Sequence, residues 1–298
     1  MKVGLALGGG GARGLFHIGI LKSLERLKVK IDLIIGTSIG AIIGGLYSIY
    51  FCAQEVERVA LGILEKYKKE IESFKNYSAT TIVEEKKIFL EKSFKFIKGL
   101  FLWNLRIIKP YLINPKPFFK IAKDLFKNYH FHNCKIPFIA TSVDLINQDV
   151  FLLKEGLIYK AVIASCALPG FFPPLKWKDR FLVDGGVLFP MPAELIKREV
   201  DFVIGVNVES LEEAPPLIKN AIDILFLTDK IRYKRILENN LKSVDFLISS
   251  QVKGILWVDF DKAKDLIKKG EEEGIEKGKE LIKILKKEKI KRFFFLRK

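Results

Sequence analysis

The 298-residue sequence predicts an α/β fold: a three-layer α/β/α sandwich with a mostly parallel central sheet and a helical cap insertion. Three observations carry this. Six short apolar runs, Val3 to Leu7, Ile31 to Ile35, Phe138 to Val143, Phe181 to Val183, Phe202 to Val208 and Ile255 to Phe260, alternate with helical patterns. Near-continuous apolar strands of this kind belong to a sheet covered on both faces. Hydrophobic residues make up 49% of the chain and charged residues 29%, enough for one large core. No Gly/Ser- or Pro-rich linker divides the sequence and no internal repeat is present, so residues 1–298 read as one domain.

The first run, Val3 to Leu7, leads into Gly8-Gly9-Gly10-Gly11-Ala12-Arg13-Gly14 and then a helical pattern through Leu15, Ile18, Leu21, Leu24 and Leu27. Glycines at this junction leave backbone N–H groups facing open space at a helix N-terminus. Such donors stabilise an anion, whether the oxyanion of acyl transfer or the phosphate of a nucleotide. The spacing Gly9-x-Gly11-x-x-Gly14 also matches the dinucleotide fingerprint, which wants an acidic residue about 20 positions on, at the end of the second strand. Asp32 has the spacing but opens that strand instead of closing it. A nucleotide-binding or regulatory protein therefore remains one reading of the loop.

The ligand-facing end of the second run carries a serine. Gly36-Thr37-Ser38-Ile39-Gly40 joins Ile31 to Ile35 to a helix rich in small residues. This is the pattern of a nucleophile elbow, a turn so tight that Gly36 and Gly40 must lack side chains on either side of Ser38. From about Ala53 to Asn133 the alternation gives way to helical, Lys- and Phe-rich sequence, read as the cap or lid. Farther on, Val183-Asp184-Gly185-Gly186 follows the short run Phe181 to Val183. An Asp-Gly pair alone orders its own turn. As the partner of a serine, Asp184 would accept the hydroxyl proton, provided an apolar site raises its basicity. Three histidines offer another base. His17 reads as a core or surface residue of the first helix, while His130 and His132 follow Ser38 in the order that a Ser–His–Asp triad needs.

Gly9-Gly10-Gly11-Ala12-Arg13-Gly14, Gly36-Thr37-Ser38-Ile39-Gly40, Ala164-Ser165-Cys166-Ala167-Leu168-Pro169-Gly170 and Asp184-Gly185-Gly186 recur in order. Together they resemble the patatin-like phospholipase family from about Val3 to about Val208, including Ile136 to Thr141 with Asp144-Leu145. The resemblance implies a Ser–Asp dyad with Ser38 as nucleophile and Asp184 as its partner. It places Gly9, Gly10, Gly11 and Arg13 in an oxyanion-hole loop, and it implies hydrolysis of fatty-acyl esters of phospholipids or lysophospholipids without metal or cofactor. Phe189 departs from the Asn or Asp common at its position in the family. A lipid-binding scaffold with an idle dyad stands beside the enzyme reading.

Composition bounds the setting. Cys52, Cys134 and Cys166 form no C-x-x-C pair, so neither a disulfide framework nor a zinc site is expected, and a reducing compartment fits. The apolar stretch after Lys2 is too short for a signal peptide, and no span of about 20 residues is free of charge. The expected location is cytoplasmic, with peripheral contact at the inner membrane face. The net charge of +16 is concentrated in two segments, Lys86 to Lys127 at +9 and Leu281 to Lys298 at +7. In the first, Phe94, Phe101 and Trp103 interleave with Lys92, Lys95 and Lys98, a pattern shared by a basic amphipathic helix on anionic lipid and by a cap helix with solvated lysines. The second segment belongs to a basic C-terminal helix or tail from about 261 to 298. Charge without a recognised binding motif makes nucleic acid an unexpected partner.

Overall fold

The computed structural model describes residues 1–83, 111, 113–209, 218 and 221–295. Its eight strands, β1 (Val3–Leu7), β2 (Leu33–Gly36), β3 (Phe138–Asp144), β4 (Asp149–Leu153), β5 (Leu175–Trp177), β6 (Arg180–Asp184), β7 (Phe202–Asn207) and β8 (Phe246–Ser249), form one mixed sheet. Five of them run parallel in the order β3-β2-β1-β7-β8, while β4 and β6 pair antiparallel with β3, and β5 with β6. The parallel part is the expected one.

The run Ile255 to Phe260 is not a strand. Gly254 turns the chain at φ +71°, and Asp259 accepts the Leu256 N–H at 2.8 Å, so the segment folds back on itself instead of extending. The outer parallel position is taken by β8, built on the three-residue apolar run Phe246 to Ile248.

The register along β3 decides the architecture of the site. Ala140 pairs with Gly36 on one side and Leu153 on the other, whereas Ser142 pairs with Asp184 and with Phe151. Since β4 runs continuously along one edge of β3, β2 and β6 must share the other edge. They approach head-on, β2 parallel to β3 and β6 antiparallel, and their carboxyl ends meet opposite Thr141.

Among the described residues eight helices flank the sheet: α1 (Phe16–Arg26), α2 (Ile39–Tyr50), α3 (Ala53–Lys66), α4 (Lys68–Val83), α5 (Lys116–Phe126), α6 (Ile158–Ser165), α7 (Ala221–Leu241) and α8 (Ala263–Phe295). Side chains alternate across the strands as their pleat requires. Leu5, Leu7, Ile34, Ile204 and Val206 face the layer that includes α1, α2 and α8, while Ala6, Leu33, Ile35 and Val203 face Met191, Ile196 and Leu237 of α7. Within the predicted cap, α3 and α5 bury Ala53, Val56, Ala60, Leu125 and Phe126 in the main core. Residues 84–110 and 112, which hold most of the basic segment Lys86 to Lys127, lie outside the described residues, as do 296–298.

The basic C-terminal segment is a long helix docked at backbone distance. Gly270, Gly274 and Gly278 recur every four residues in α8 and place a bare stripe against α1. A Cβ on Gly270 would lie 2.2 Å from the Phe16 carbonyl oxygen, and one on Gly19 of α1 would lie 2.1 Å from that of Ile267. Ser23 Oγ donates across this contact to the Glu271 carbonyl at 2.8 Å. We predict that Gly19→Leu cannot be accommodated without separating the helices, at a cost of about 3 kcal/mol or more. Urea denaturation should show the loss, and an unchanged midpoint would contradict the docking.

Candidate active site

The carboxyl ends of β1, β2 and β6 supply three groups to one place. At the end of β2, Ser38 stands at φ 54° and ψ −120°, outside the regions open to L-residues without strain. Such a conformation costs on the order of 1–3 kcal/mol and persists only where surroundings hold it. The holding contacts are visible. Thr37 N–H donates to the Leu7 carbonyl at 3.1 Å, and Ser38 N–H donates to Ser165 Oγ at 3.0 Å. Thr37 Oγ1 donates to the Phe189 carbonyl at 2.7 Å and lies 2.7 Å from Thr141 Oγ1. The flanking glycines are obligatory: a Cβ on Gly36 would sit 2.3 Å from the Gly40 carbonyl oxygen, and one on Gly40 would sit 2.2 Å from that of Leu7.

Asp184 closes β6 and is buried. Its Oδ1 accepts the Gly186 N–H at 2.7 Å and its own N–H donates to Ala167 at 3.0 Å. Burial pushes the carboxyl up to about 6, against the opposing pull of the Gly186 N–H and of hydrogen bonding with the Ser38 side chain. Ser38 and Asp184, 146 positions apart in sequence, are therefore neighbours. Cys166 completes the enclosure. Its buried thiol also meets Ser38, and burial, with the Asp184 charge nearby, raises it well above the usual thiol range, so it stays protonated.

The glycine loop passes beside Ser38, with an imagined Gly9 Cβ only 3.6 Å from Ser38 Cβ. Its donors are not equivalent. Gly8 N–H goes to Val206, Gly9 N–H to Pro190 and Ala12 N–H to Trp257, at 3.0, 3.0 and 2.7 Å. Gly10 and Gly11 donate to no described backbone carbonyl, and like Ser38 they are partly exposed. Both have positive φ, 153° and 59°, and a Cβ on Gly11 would overlap the Trp257 carbonyl oxygen at 2.3 Å. Arg13 turns away from the opening: Nε donates to the Gly10 carbonyl at 3.2 Å and Nη2 pairs with Glu209 at 2.6 Å. Glu209 in turn hydrogen-bonds Tyr233 of α7, and its burial raises its carboxyl.

The histidines fall elsewhere. His17 is fully buried, its Nε2 bonded to the Gly8 carbonyl at 2.9 Å, and burial lowers it to about 4. It is a neutral anchor of the glycine loop. His130 and His132 stack on each other near the amino end of β3, at the far edge of the sheet. Lys135, a few residues on, donates to Ser48 near the end of α2, about 15 Å along that helix from Ser38 at 1.5 Å per residue. Asp32 also sits at that far edge, accepting the Val3 N–H at 2.9 Å, away from any ligand at the glycine loop. Among the described residues no group of three or more His, Cys, Asp or Glu side chains converges as a metal site would require, and no helix is long and apolar enough to cross a membrane.

An α/β/α sandwich with an elbow serine, a buried carboxylate and a glycine loop at the carboxyl ends of its strands defines the class. The family model for patatin-like phospholipase matches residues 5–196, and the chain belongs to that family. Lysophospholipase NTE1 of Candida albicans is 30% identical over 223 residues, covering 72% of this chain and 14% of that protein. The protein of that name in Meyerozyma guilliermondii is 29% identical over 217 residues, covering 72% and 13%. The chain thus spans about one seventh of the length of these curated relatives. Among solved structures, VipD from Legionella pneumophila aligns over 93% of this chain and 66% of that one, with 15% identity and a TM-score of 0.45.

Thr37, Thr141, Ser165, His17 and Glu209 support this site, and none could be assigned that role from sequence spacing. Burial of His17 yields a prediction. Above its ordinary value of 6.5 the imidazole is neutral in folded and unfolded chains alike. As pH falls toward 4, only the unfolded chain takes up the proton, so folded stability is lost across that window. Between pH 7 and pH 5 the unfolding free energy of the natural chain should fall by roughly 2 kcal/mol more than that of His17→Asn. Parallel slopes in urea titrations at the two pH values would refute a buried neutral His17.

Proposed function

We propose that the protein is a serine acyl hydrolase that cleaves fatty-acyl esters of phospholipids or lysophospholipids, with Ser38 as nucleophile and Asp184 as its base. The observation that carries this reading is the head-on meeting of β2 and β6, which puts a strained, accessible serine beside a carboxylate whose burial raises its basicity. Ser38 Oγ attacks the ester carbonyl while its proton passes to Asp184. The carbonyl electron pair moves onto oxygen, where the Gly10 and Gly11 N–H groups hold the oxyanion. Gly9 and Arg13 keep that loop in shape without donating to substrate. When the tetrahedral adduct collapses, the ester C–O bond breaks and the departing alcohol takes the proton from Asp184. Water then attacks the acyl-enzyme, giving its proton to Asp184, and Ser38 leaves with that proton.

A carboxyl held at about 6 suits this work, because it is ionised at neutral pH yet far more basic than an exposed aspartate. The names of the relatives, lysophospholipase NTE1, support a lipid ester as substrate. The nucleotide reading of the glycine loop is the weaker one, since the Gly9 N–H is committed to Pro190 and Asp32 lies at the opposite edge. We assign α3, α4 and α5, within the segment from about 53 to 133, to a helical cap insertion in a single domain of residues 1–298; residues 84–110 and 112 of that segment lie outside the described residues. The three unpaired cysteines fit a reducing, cytoplasmic setting with peripheral lipid contact, including contact through the basic segment Lys86 to Lys127.

Two experiments test this. Ser38→Ala should lower hydrolysis of a short-chain nitrophenyl ester by at least about 10⁴-fold with little change in melting temperature. Comparable turnover in that variant would end the assignment. The kcat/KM profile of the natural enzyme should rise through an acid limb near pH 6, set by Asp184. The limb should persist in His130→Gln/His132→Gln, and Asp184→Asn should be nearly inactive at every pH. Loss of the limb with the histidines would favour a triad.

A further inference from the structure

Helix α7 is longer than the sheet it covers. Its 21 residues span about 31 Å, whereas the six residues of β7 span about 20 Å. Among the described residues it is the later part, Tyr233, Leu237 and Leu241, that joins the core on the second face of the sheet. Tyr233 also marks the level of the site, because it bonds Glu209, which pairs with Arg13 beside Gly10. The helix descends from the carboxyl edge of β7 toward the start of β8, so the twelve residues before Tyr233 extend past the glycine loop by about 18 Å.

That projecting part exposes large apolar side chains, interspersed with Asp223 and Asp229. Leu225 is 66% exposed, Ile231 63% and Ile224 50%. Across the glycine loop, Leu256 is 58% exposed on the segment whose Trp257 carbonyl holds Ala12. Four of the six residues Lys230–Arg235 are cationic, and Arg232, Lys234 and Arg235 are exposed, Arg235 pairing with Glu238 at 3.1 Å. An apolar tip followed by a cationic collar is complementary to a bilayer, with acyl chains beneath and phosphates above. A protein partner would not require that order along the helix.

We propose that Ile224 and Leu225 at the tip of α7, with Leu256 across the loop, seat the active-site edge on an anionic phospholipid bilayer, the cationic collar of α7 meeting the lipid phosphates. This rests on the lipid-hydrolase reading and adds how the substrate is presented. None of these residues belongs to the segment Lys86 to Lys127.

The test is co-sedimentation with phosphatidylcholine–phosphatidylglycerol vesicles, alongside hydrolysis of a short-chain soluble ester. Ile224→Asp/Leu225→Asp should weaken vesicle binding and vesicle hydrolysis at least about tenfold and leave soluble-ester turnover unchanged. Arg232→Gln/Lys234→Gln/Arg235→Gln should lower binding to these vesicles but not to pure phosphatidylcholine. Ile224→Ser/Leu225→Ser, which adds no charge, should fall between. Unchanged vesicle binding in the aspartate variant would overturn the proposal, as would natural protein that stays in the supernatant. A dimer in sedimentation velocity that the same substitutions dissolve would also overturn it and give the face to a second copy. Vesicle binding is read without turnover, so binding that the substitutions release, from a protein that hydrolyses neither ester, would uphold the docking and reject the hydrolase.

Discussion

One edge of β3 serves two strands, and the rest of the site depends on that sharing. β2 arrives parallel and stops at Gly36, β6 arrives antiparallel and stops at Asp184, and only Thr141 separates their pairing positions. Two strand ends pointed at each other cannot continue, so both chains must leave the sheet there. The sharp exit of β2 is the elbow that strains Ser38, and the exit of β6 is the glycine turn that folds over Asp184. Thr141 fills the gap between them, with its hydroxyl 2.7 Å from that of Thr37 and in the space that a Gly185 side chain would need. The geometry of the pair is thus a property of sheet register, not of either loop.

The glycine loop is held in the same over-determined way. Three layers contribute: Val206 from the sheet, His17 from one helical face, and Glu209 with Tyr233 of α7 from the other. Each restraint uses a group that could otherwise have faced a ligand. What remains, the Gly10 and Gly11 N–H groups, points where nothing in the described chain claims them. Under the proposed hydrolysis, donors fixed before the reaction would need no reorganisation as charge develops. A buried, uncharged histidine suits the anchoring role, since an imidazolium beside the loop would change its field with pH.

Burial sorts the ionisable groups around Ser38 by what each can do. It raises Asp184 into the range of a useful base, while it holds the Cys166 thiol protonated and therefore unreactive. The same dry surroundings that make the aspartate basic would strengthen every hydrogen bond to an oxyanion. Support for this enclosure comes partly from far away in the chain. The strap around Trp257 and the docking of α8 on α1 are both contributed by sequence beyond the family match at residue 196.

The sequence by itself determined the fold class, the elbow and the glycine loop, because each follows from local patterns of consecutive residues. Asp184, whose own Asp-Gly pair reads as a turn, was marked only by the resemblance of four motifs taken together. A serine between two obligatory glycines can be read from five letters, and an apolar run of five from its composition. It also marked most parallel strands, though Ile255 to Phe260 shows that apolar composition does not distinguish a strand from a folded strap. Only the tertiary structure decided that Ser38 and Asp184 meet, since their meeting depends on which edge of β3 each strand takes, and nothing in β2 or β6 alone encodes that choice. It likewise decided that Gly9 is spent on Pro190, that His17 is an anchor, and that Gly270, Gly274 and Gly278 are an interface. Those roles belong to pairs of residues distant in sequence, and a backbone hydrogen bond or a missing Cβ leaves no trace in the letters on either side.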